Sequence, residues 1–398
     1  MAWLELLAQG LLLVLALGVA IPAALLLAQV LLALLPARHN RMSTGPQPRV
    51  AVLVPAHDES RNMLPTLAQI QAQLQPGDRL VVVADNCSDD TAAVARAAGA
   101  EVAERHDQSR RGKGYALDHG IRHLAADPPA VVIVIDADCT LKPGCIELLA
   151  RVSHGSDRPV QANFMTLAAD ASLRMRMAEF AMRVKAHVRP RAMQRLGLPC
   201  GLIGSGIAYP WHIAADAPFA SGHLAEDMQL GIALGQRGTP PVYCEDAKVE
   251  TVFAASHDAQ KTQRTRWEHG HLTLLLQDGP RLLARALRQG HLRVALQIAD
   301  MLVPPLALLV LLQLAGVAAT LAGGLLLGVW LPLATALAGA ALLLLAIALA
   351  RARFARDIVS TRDLLLGPAY VAAKLPIYLR FLVSRQVEWV RTKRSGTP

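Results

Sequence analysis

Cysteine is scarce and unpaired in this chain: Cys87, Cys139, Cys145, Cys200 and Cys244 make five, with no Cys-x-x-Cys spacing. An odd number without paired spacing excludes a disulfide framework and a structural zinc site, and suits a reducing compartment. The histidines, among them His57, His119, His223 and His269, also lack zinc-type spacing. No Gly-x-x-x-x-Gly-Lys-Ser/Thr segment occurs, so there is no P-loop. Helix-turn-helix, zinc-finger and aromatic RNA-binding signatures are absent too, and the net charge of +9 is not the footprint of a nucleic-acid partner. Charge itself is thin: 18% of residues against 53% hydrophobic, with a mean hydropathy of +0.33. A chain of 398 residues this apolar is expected to lie partly in a membrane.

The apolar excess sits in two blocks. Leu6 to Ala37 carries no charge and predicts one long helix, tilted or kinked at Pro22, because two spans need about 40 residues plus a turn. The run is too long for a cleaved signal peptide, and Ala37-Arg-His-Asn-Arg41 after it reads as a stop-transfer flank. Met301 to Ala350 is also uncharged and predicts two spans, joined near Gly323-Gly324 or between Gly328 and Pro332. Three spans put the middle of the chain and its C-terminus on one side. Arg38, Arg41, Arg281 to Arg293, Arg351 to Arg356 and Arg391 to Arg394 all fall there, which predicts the cytoplasmic face of an inner membrane and accounts for much of the positive charge. The expected divisions are a transmembrane helix over 1–41, a globular domain over 42–280, an amphipathic interfacial helix over 281–300, two spans over 301–350, and an interfacial or re-entrant helix with a basic tail over 351–398. Pro368, Lys374, Pro376 and Arg380 break the apolar run Leu364 to Val383, which argues against a fourth span.

From Arg49 the pattern is strand, turn, helix, repeated. Val50-Ala-Val-Leu-Val54, Leu80-Val-Val-Val-Ala84, a short strand near Glu101 to Ala103, and Val131-Val-Ile-Val-Ile135 alternate with helical stretches such as Asn62 to Leu74. Ser88 or Asp89 is expected to cap the second of these helices. The alternation predicts a mostly parallel sheet of Rossmann-like class, with a ligand crevice at the strand ends. Polar and acidic groups recur there: Glu59, Asp85, and Asp136 with Asp138. Two carboxylates two residues apart on an extended chain point the same way and suit a hard divalent cation with its phosphates. Lys113 lies between two glycines at a helix start, where an anion is favoured. Glu226 and Asp227 open a helix, where dipole complementarity alone is reason enough for acidic residues. Gln263, Arg266 and Trp267 fall at i, i+3 and i+4 of one helix and share a face. Arg174 to Arg195 is a basic helical stretch, facing lipid headgroups, an acceptor phosphate or solvent.

Taken in order, Pro55-Ala-His-Asp-Glu59, Asp85-Asn-Cys-Ser-Asp-Asp-Thr-Ala92, Arg111-Gly-Lys-Gly-Tyr-Ala116, Asp136-Ala-Asp138, Ala225-Glu-Asp227 and Gln263-Arg-Thr-Arg-Trp267 resemble the membrane-anchored family 2 glycosyltransferases, the inverting GT-A group of cellulose, chitin and hyaluronan synthases. The resemblance spans about Val50 to Leu276 and implies a cytosolic α/β GT-A domain with about three transmembrane helices and interfacial helices. It implies that Glu59 and Asp85 hold the nucleoside of a UDP-sugar and that Asp136 contacts the nucleotide or donor. Asp138, with Asp136, would bind Mg²⁺ or Mn²⁺, Lys113 would assist at the phosphates, and Asp227 would be the general base. Gln263 and Trp267 are implied at the acceptor, Arg266 at the diphosphate, and the Gly204-Ser205-Gly206 loop at the acceptor wall. Where the family usually carries Thr before Glu-Asp, this chain has Ala225.

The implied partners are a nucleotide-sugar donor, a polysaccharide or lipid-linked glycan acceptor, membrane lipid, and further copies of the chain or export components. Three helices cannot enclose a sugar-sized pore, which favours single addition or an assembly of chains over lone processive export. Two readings from other classes stand beside this one: a catalytically silent scaffold of an export complex, and a membrane-bound nucleotidyl or phosphoryl transferase. Intact Asp136, Asp138, Asp227 and Arg266 argue against the first, and the second leaves Gln263 to Trp267 unexplained.

Overall fold

The computed structural model describes residues 2–254 and 256–383, so the basic tail at Arg391 to Arg394 lies outside the described residues. The chain divides into two compact units, one of residues 37–169 and 197–299, the other of residues 2–36, 170–196 and 300–383.

The first unit is built on one eight-stranded sheet. Its strands are β1 (Val50–Ala56), β2 (Arg79–Asp85), β3 (Glu101–Arg105), β4 (Val131–Val134), β5 (Thr140–Leu141), β6 (Val160–Leu167), β7 (Ile207–Pro210) and β8 (Val242–Val252). They lie in the order β3-β2-β1-β4-β7-β6-β8-β5. The four strands β3, β2, β1 and β4 are parallel, as the alternation predicts, with helices Leu64–Gln71, Thr91–Ala97 and Lys113–Leu124 in the connections. Beyond them the sheet is mixed: β7 runs antiparallel to β4 and β6, β5 antiparallel to β8, and β6 parallel to β8.

The near-continuous apolar runs mark strands covered on both faces. Val50, Val52 and Val54 of β1 pack on one face with Leu67, Ile70, Ile146 and Leu149, while Ala51 and Leu53 meet Leu117, Ile121 and Leu124 on the other. All the aliphatic side chains of that strand are out of water, worth about 1.5–3 kcal/mol for each valine or leucine. The result is a rigid sheet whose strand ends can carry chemistry.

Three local expectations are corrected. The strand at Val131 ends at Val134, so Asp136 and Asp138 stand in the turn beyond it, released from the pairing that fixes a strand. The helix expected over Asn62 to Leu74 is a 3₁₀ turn, Ser60–Met63, followed by Leu64–Gln71, with Pro65 fixing its first turn. Neither Ser88 nor Asp89 is the N-cap of the helix Thr91–Ala97; Asp90 is, while Asp89 accepts the Thr91 N–H at 3.0 Å.

In the second unit three helices are long and apolar enough to cross a membrane: Glu5–Leu32, Leu306–Leu327 and Leu331–Phe354. Of the two expected positions for the turn between the last two, it falls at Gly328, the left-handed C-cap of the second helix. Small residues let backbones approach: a Cβ on Gly339 would lie 2.8 Å from the Cα of Ala20. Leu364 to Val383 is broken into Thr361–Leu365, Gly367–Ala372 and Leu375–Val383, each too short to span.

The basic stretch Arg174 to Arg195 belongs to this unit. It buries Met177, Phe180, Val184, Val188 and Ala192 with Ala23, Leu26, Leu27 and Val30 of the first helix. Arg191 and Arg195 donate to the carbonyls of Ala33 and Leu35, completing the C-terminal end of that helix. Arg176 pairs with Asp363 at 2.6 Å, Arg183 with Asp357 at 2.9 Å and Arg189 with Asp300 at 3.0 Å. The five arginines just named act as internal braces.

Candidate active site

The site is assembled at the strand ends of the sheet unit. A cleft there is lined by Pro55, Ala56, His57, Asp85, Asn86, Arg111, Gly112, Lys113 and Ala116. Asp85 closes β2, buried, and its Oδ1 accepts from Arg105 Nη1 at 2.6 Å and from Asn86 Nδ2 at 3.0 Å. His57 Nδ1 donates to the backbone carbonyl of Asp85 at 2.7 Å. Glu59 is not among the lining residues; it sits at the N-cap of the turn Ser60–Met63, and its N–H donates to Thr91 Oγ1 at 2.9 Å.

Lys113 begins the helix Lys113–Leu124 and is the hinge of the site. Its Nζ lies 2.5 Å from Asp136 Oδ1 and donates to the Gly204 carbonyl at 2.7 Å. The N–H of the same Gly204 donates to Asp227 Oδ2 at 2.5 Å, and Asp227 Oδ1 accepts the Met228 N–H at 2.7 Å. One glycine residue thus ties the lysine beside the carboxylate pair to the expected base. Gly204 is there for a reason: its φ is +58°, and a Cβ would lie 2.4 Å from the Phe164 ring. Ser205 Oγ accepts the Asp136 N–H at 2.8 Å, so the Gly204-Ser205-Gly206 loop, expected at the acceptor wall, also holds the backbone of Asp136.

Behind Lys113 a second cavity is lined by Leu117, Gly204, Tyr209, Phe219, Glu226, Asp227 and Leu230 among others. Burial works against the Lys113 ammonium, but Asp136, Glu226 and Asp227 outweigh it and hold its proton more tightly than water would. Burial, and then the neighbouring Asp227, push the Glu226 carboxyl up to about 8, with Lys113 pulling the other way. Glu226 and Asp227 are adjacent carboxyls in different environments: burial dominates at the first, while the second holds two backbone N–H groups.

Asp136, Asp138 and Cys139 offer ligand atoms within 4.8 Å of one another. Two carboxylates suit Mg²⁺ or Mn²⁺, whereas the Cys139 thiol, kept protonated by burial and by Asp138 and Asp136, is a poor ligand for a hard cation. Asp138 Oδ2 accepts from Thr251 Oγ1 at 2.9 Å, which orients it. Asp58, Cys87 and Asp89 also approach one another, but both oxygens of Asp58 accept hydrogen bonds from Ser88, and the group reads as a loop clasp.

Thr251 is the second-last residue of β8, and the chain just beyond carries the helix His257–Thr273. The Trp267 ring packs at 6.1 Å, tilted, against Phe253, and Gln263 Oε1 accepts from the Ala254 N–H at 3.4 Å. Four residues, 251–254, therefore join Asp138 to Gln263 and Trp267. Gln263 is buried, while Arg266 and Trp267 are half-buried on the same helix. The expected sharing of one helix by these three residues is what the structure has.

Three participants have no motif to announce them. Gln161, inside β6, donates to the Ser205 carbonyl at 3.0 Å and accepts from Ile203 N–H at 2.8 Å, which fixes the glycine loop from behind. Arg105 closes β3, and Thr251 lies near the end of β8. Each sits in or at the end of a strand, where a polar residue aimed at a strand end is the only available signal.

A family model described as glycosyltransferase like family 2 matches residues 46–270. A probable glucomannan 4-beta-mannosyltransferase 1 of Arabidopsis thaliana is 26% identical over 257 residues, 60% of this chain and 46% of that protein. An uncharacterized glycosyltransferase of Mycobacterium tuberculosis is 38% identical over 109 residues, 27% of this chain and 45% of its own length. The chain spans about half the length of the curated relatives it matches. In three dimensions it is similar to the mannosyltransferase PcManGT from Pyrobaculum calidifontis, in complex with GDP-Man and Mn²⁺, with 16% identity and a TM-score of 0.56 over 95% of this chain and 100% of that one. At that identity the likeness is one of fold.

Proposed function

Since this chain belongs to glycosyltransferase family 2, we propose that it transfers a hexosyl group, with inversion, from a nucleoside-diphosphate sugar to a glycan or lipid-linked glycan at the cytoplasmic face of a membrane. The observation that carries the reading is the continuous link from Asp136 through Lys113 and Gly204 to Asp227. Donor and acceptor chemistry need a cationic phosphate site and a carboxylate base a few ångströms apart, and this link supplies both.

The roles in this reading are those the family resemblance implies. The cleft at Asp85 takes the nucleoside, and Lys113 balances the diphosphate. Asp136 and Asp138 would hold Mg²⁺ or Mn²⁺, which when bound supplies Lewis-acid neutralisation of the departing diphosphate. Asp227 takes the proton of the acceptor hydroxyl as the oxygen–C1 bond forms and the C1–phosphate oxygen bond breaks. The backbone N–H groups of Gly204 and Met228 orient its carboxylate. Trp267 stacks on the acceptor sugar, Gln263 fixes the helix that carries it, and Arg266 faces the diphosphate.

The similar proteins, glucomannan 4-beta-mannosyltransferases and a mannosyltransferase with GDP-Man, favour a mannosyl group and a β-linked polysaccharide product. Three candidate spans support single addition, or association of chains, over a lone extruding channel. The silent-scaffold reading predicts no donor turnover. Release of nucleoside diphosphate by the purified chain, with Asp227→Asn as the control, tests the proposal: metal-dependent release lost in the variant supports it, and none in either sinks it.

A further inference from the structure

Three arginines distant in sequence, Arg38, Arg158 and Arg293, converge on residues 197–200 of the sheet unit. Arg293 Nη2 donates to the Gly197 carbonyl, and the Arg38 guanidinium occupies the space that a Cβ on Gly197 would fill, which its bare Cα and a φ of +65° permit. Arg158 donates through Nε to the Pro240 carbonyl at 2.8 Å and stands within electrostatic range of Arg293 and Cys200. Arg293 and Gln297, four apart on the helix Leu292–Met301, share a face, and Gln297 Nε2 donates to the Cys200 carbonyl at 2.9 Å. One helix face thus holds both ends of the segment. None of the three arginines is paired with a carboxylate among the described residues, and none lines the strand-end cleft or the cavity behind it. Burial and the neighbouring Arg293 both work against the Arg158 charge, and no carboxylate offsets them. Like charges gathered in this way call for an anion.

We propose that Arg38, Arg158 and Arg293 together bind the phosphate of an anionic phospholipid headgroup. A guanidinium fork meets phosphate oxygens in pairs, and Arg158 spends only its Nε on the described residues. The lipid source, rather than free phosphate, follows from what adjoins the arginines in the chain. Arg38 stands shortly after the candidate span Glu5–Leu32, and the helix that carries Arg293 leads toward the candidate span Leu306–Leu327. Leu287 and Leu292, next to Arg288 and Arg293, are exposed. Bare leucine beside arginine is the composition of a surface that rests in a headgroup layer. Basic flanks of this kind attract anionic lipid diffusely. Arg158, between the helix Cys145–Ser156 and β6, gives no such signal in sequence, and its place in the cluster turns the diffuse attraction into a site for one headgroup. The inference does not depend on the glycosyl-transfer reading.

The test titrates phosphatidylglycerol, phosphatidylcholine and inorganic phosphate into the full chain in a neutral detergent and counts bound lipid by native mass spectrometry. The proteins are wild type, Arg158→Gln, Arg293→Gln and, as a control outside the cluster, Arg281→Gln, each with its melting temperature measured. The expected result is one phosphatidylglycerol bound at least about tenfold more tightly than phosphatidylcholine, whose choline cation the arginines repel. Binding should weaken by about fivefold in Arg158→Gln and in Arg293→Gln and stay unchanged in Arg281→Gln. Should Arg158→Gln fail to fold, Arg293→Gln carries the same prediction, since Arg293 is exposed. Equal affinity for the two lipids, wild-type affinity in the folded cluster variants, or the same loss in Arg281→Gln overturns the inference. Displacement of the lipid by inorganic phosphate at matching concentration also overturns it, because the site would then be one for a free anion.

Discussion

Lys113→Met should separate two functions of the same cation by moving them in opposite directions. Lys113 Nζ sits 2.5 Å from Asp136 Oδ1 and so occupies part of the field that a divalent ion would use. Even with the dielectric constant of water, a unit-charge pair at that distance attracts by about 1.7 kcal/mol, and partial burial raises the figure. Deleting the ammonium therefore frees the Asp136–Asp138 pair of a competing attraction of about that size, which converts to roughly 15-fold tighter Mn²⁺ binding. The diphosphate loses a counter-charge and Asp227 loses the lysine that anchors Gly204, so turnover should fall by about a hundredfold or more, as for loss of a charged transition-state contact. Manganese titration by calorimetry on the purified chain, with donor turnover measured beside it, gives both numbers. Weaker or unchanged Mn²⁺ affinity in a folded variant would refute the electrostatic reasoning, because it would mean that Lys113 does not compete for the carboxylates.

Further outcomes follow from the same geometry. The Glu226 carboxyl is raised in the folded protein, so the native state binds the proton more tightly than the unfolded chain, and stability falls as pH rises from the ordinary carboxylate range toward about 8; Glu226→Gln should remove that slope and melt higher than wild type at pH 8, with little difference at pH 4. Thr251→Val takes away the hydroxyl that orients Asp138 and should weaken Mn²⁺ binding by about tenfold at constant melting temperature. Gln161→Leu frees the Gly204 loop and should lower kcat about tenfold with UDP affinity nearly unchanged, as steady-state kinetics beside nucleotide binding will show. Gly114→Ala would push a methyl to 2.4 Å from the Phe219 carbonyl and should cost about 1–3 kcal/mol in denaturant unfolding.

Much of this site is legible in the sequence because its chemistry is concentrated in short motifs at strand ends. Asp136 with Asp138, Lys113 between glycines, and Glu226 with Asp227 are each local patterns, and parallel topology brings strand ends to one edge. The glycine loop was readable as a close-fitting wall, but not as the wire between Lys113 and Asp227, since that depends on where both peptide groups of one residue point. Gln161 and Arg105 escape for a different reason: a polar residue within or at the end of a strand gives no periodic signal, and its role depends on which loop packs behind it. The basic stretch 174–195 misleads in the opposite sense. Its arginines look like a surface for anions, yet several are spent on carbonyls and carboxylates that lie far away in sequence. The mixed half of the sheet was not anticipated, because β5 and β7 have only two and four residues and carry too little pattern to register.

The most direct test of the account is nucleoside diphosphate release by wild type and Asp227→Asn, supplied with donor sugars and membrane glycolipid in the presence of Mn²⁺ or EDTA. The account predicts metal-dependent release in wild type, a loss of about 10²–10⁴-fold in the variant, and nucleotide binding retained in both. Equal release by the two proteins, or release indifferent to EDTA, would contradict it.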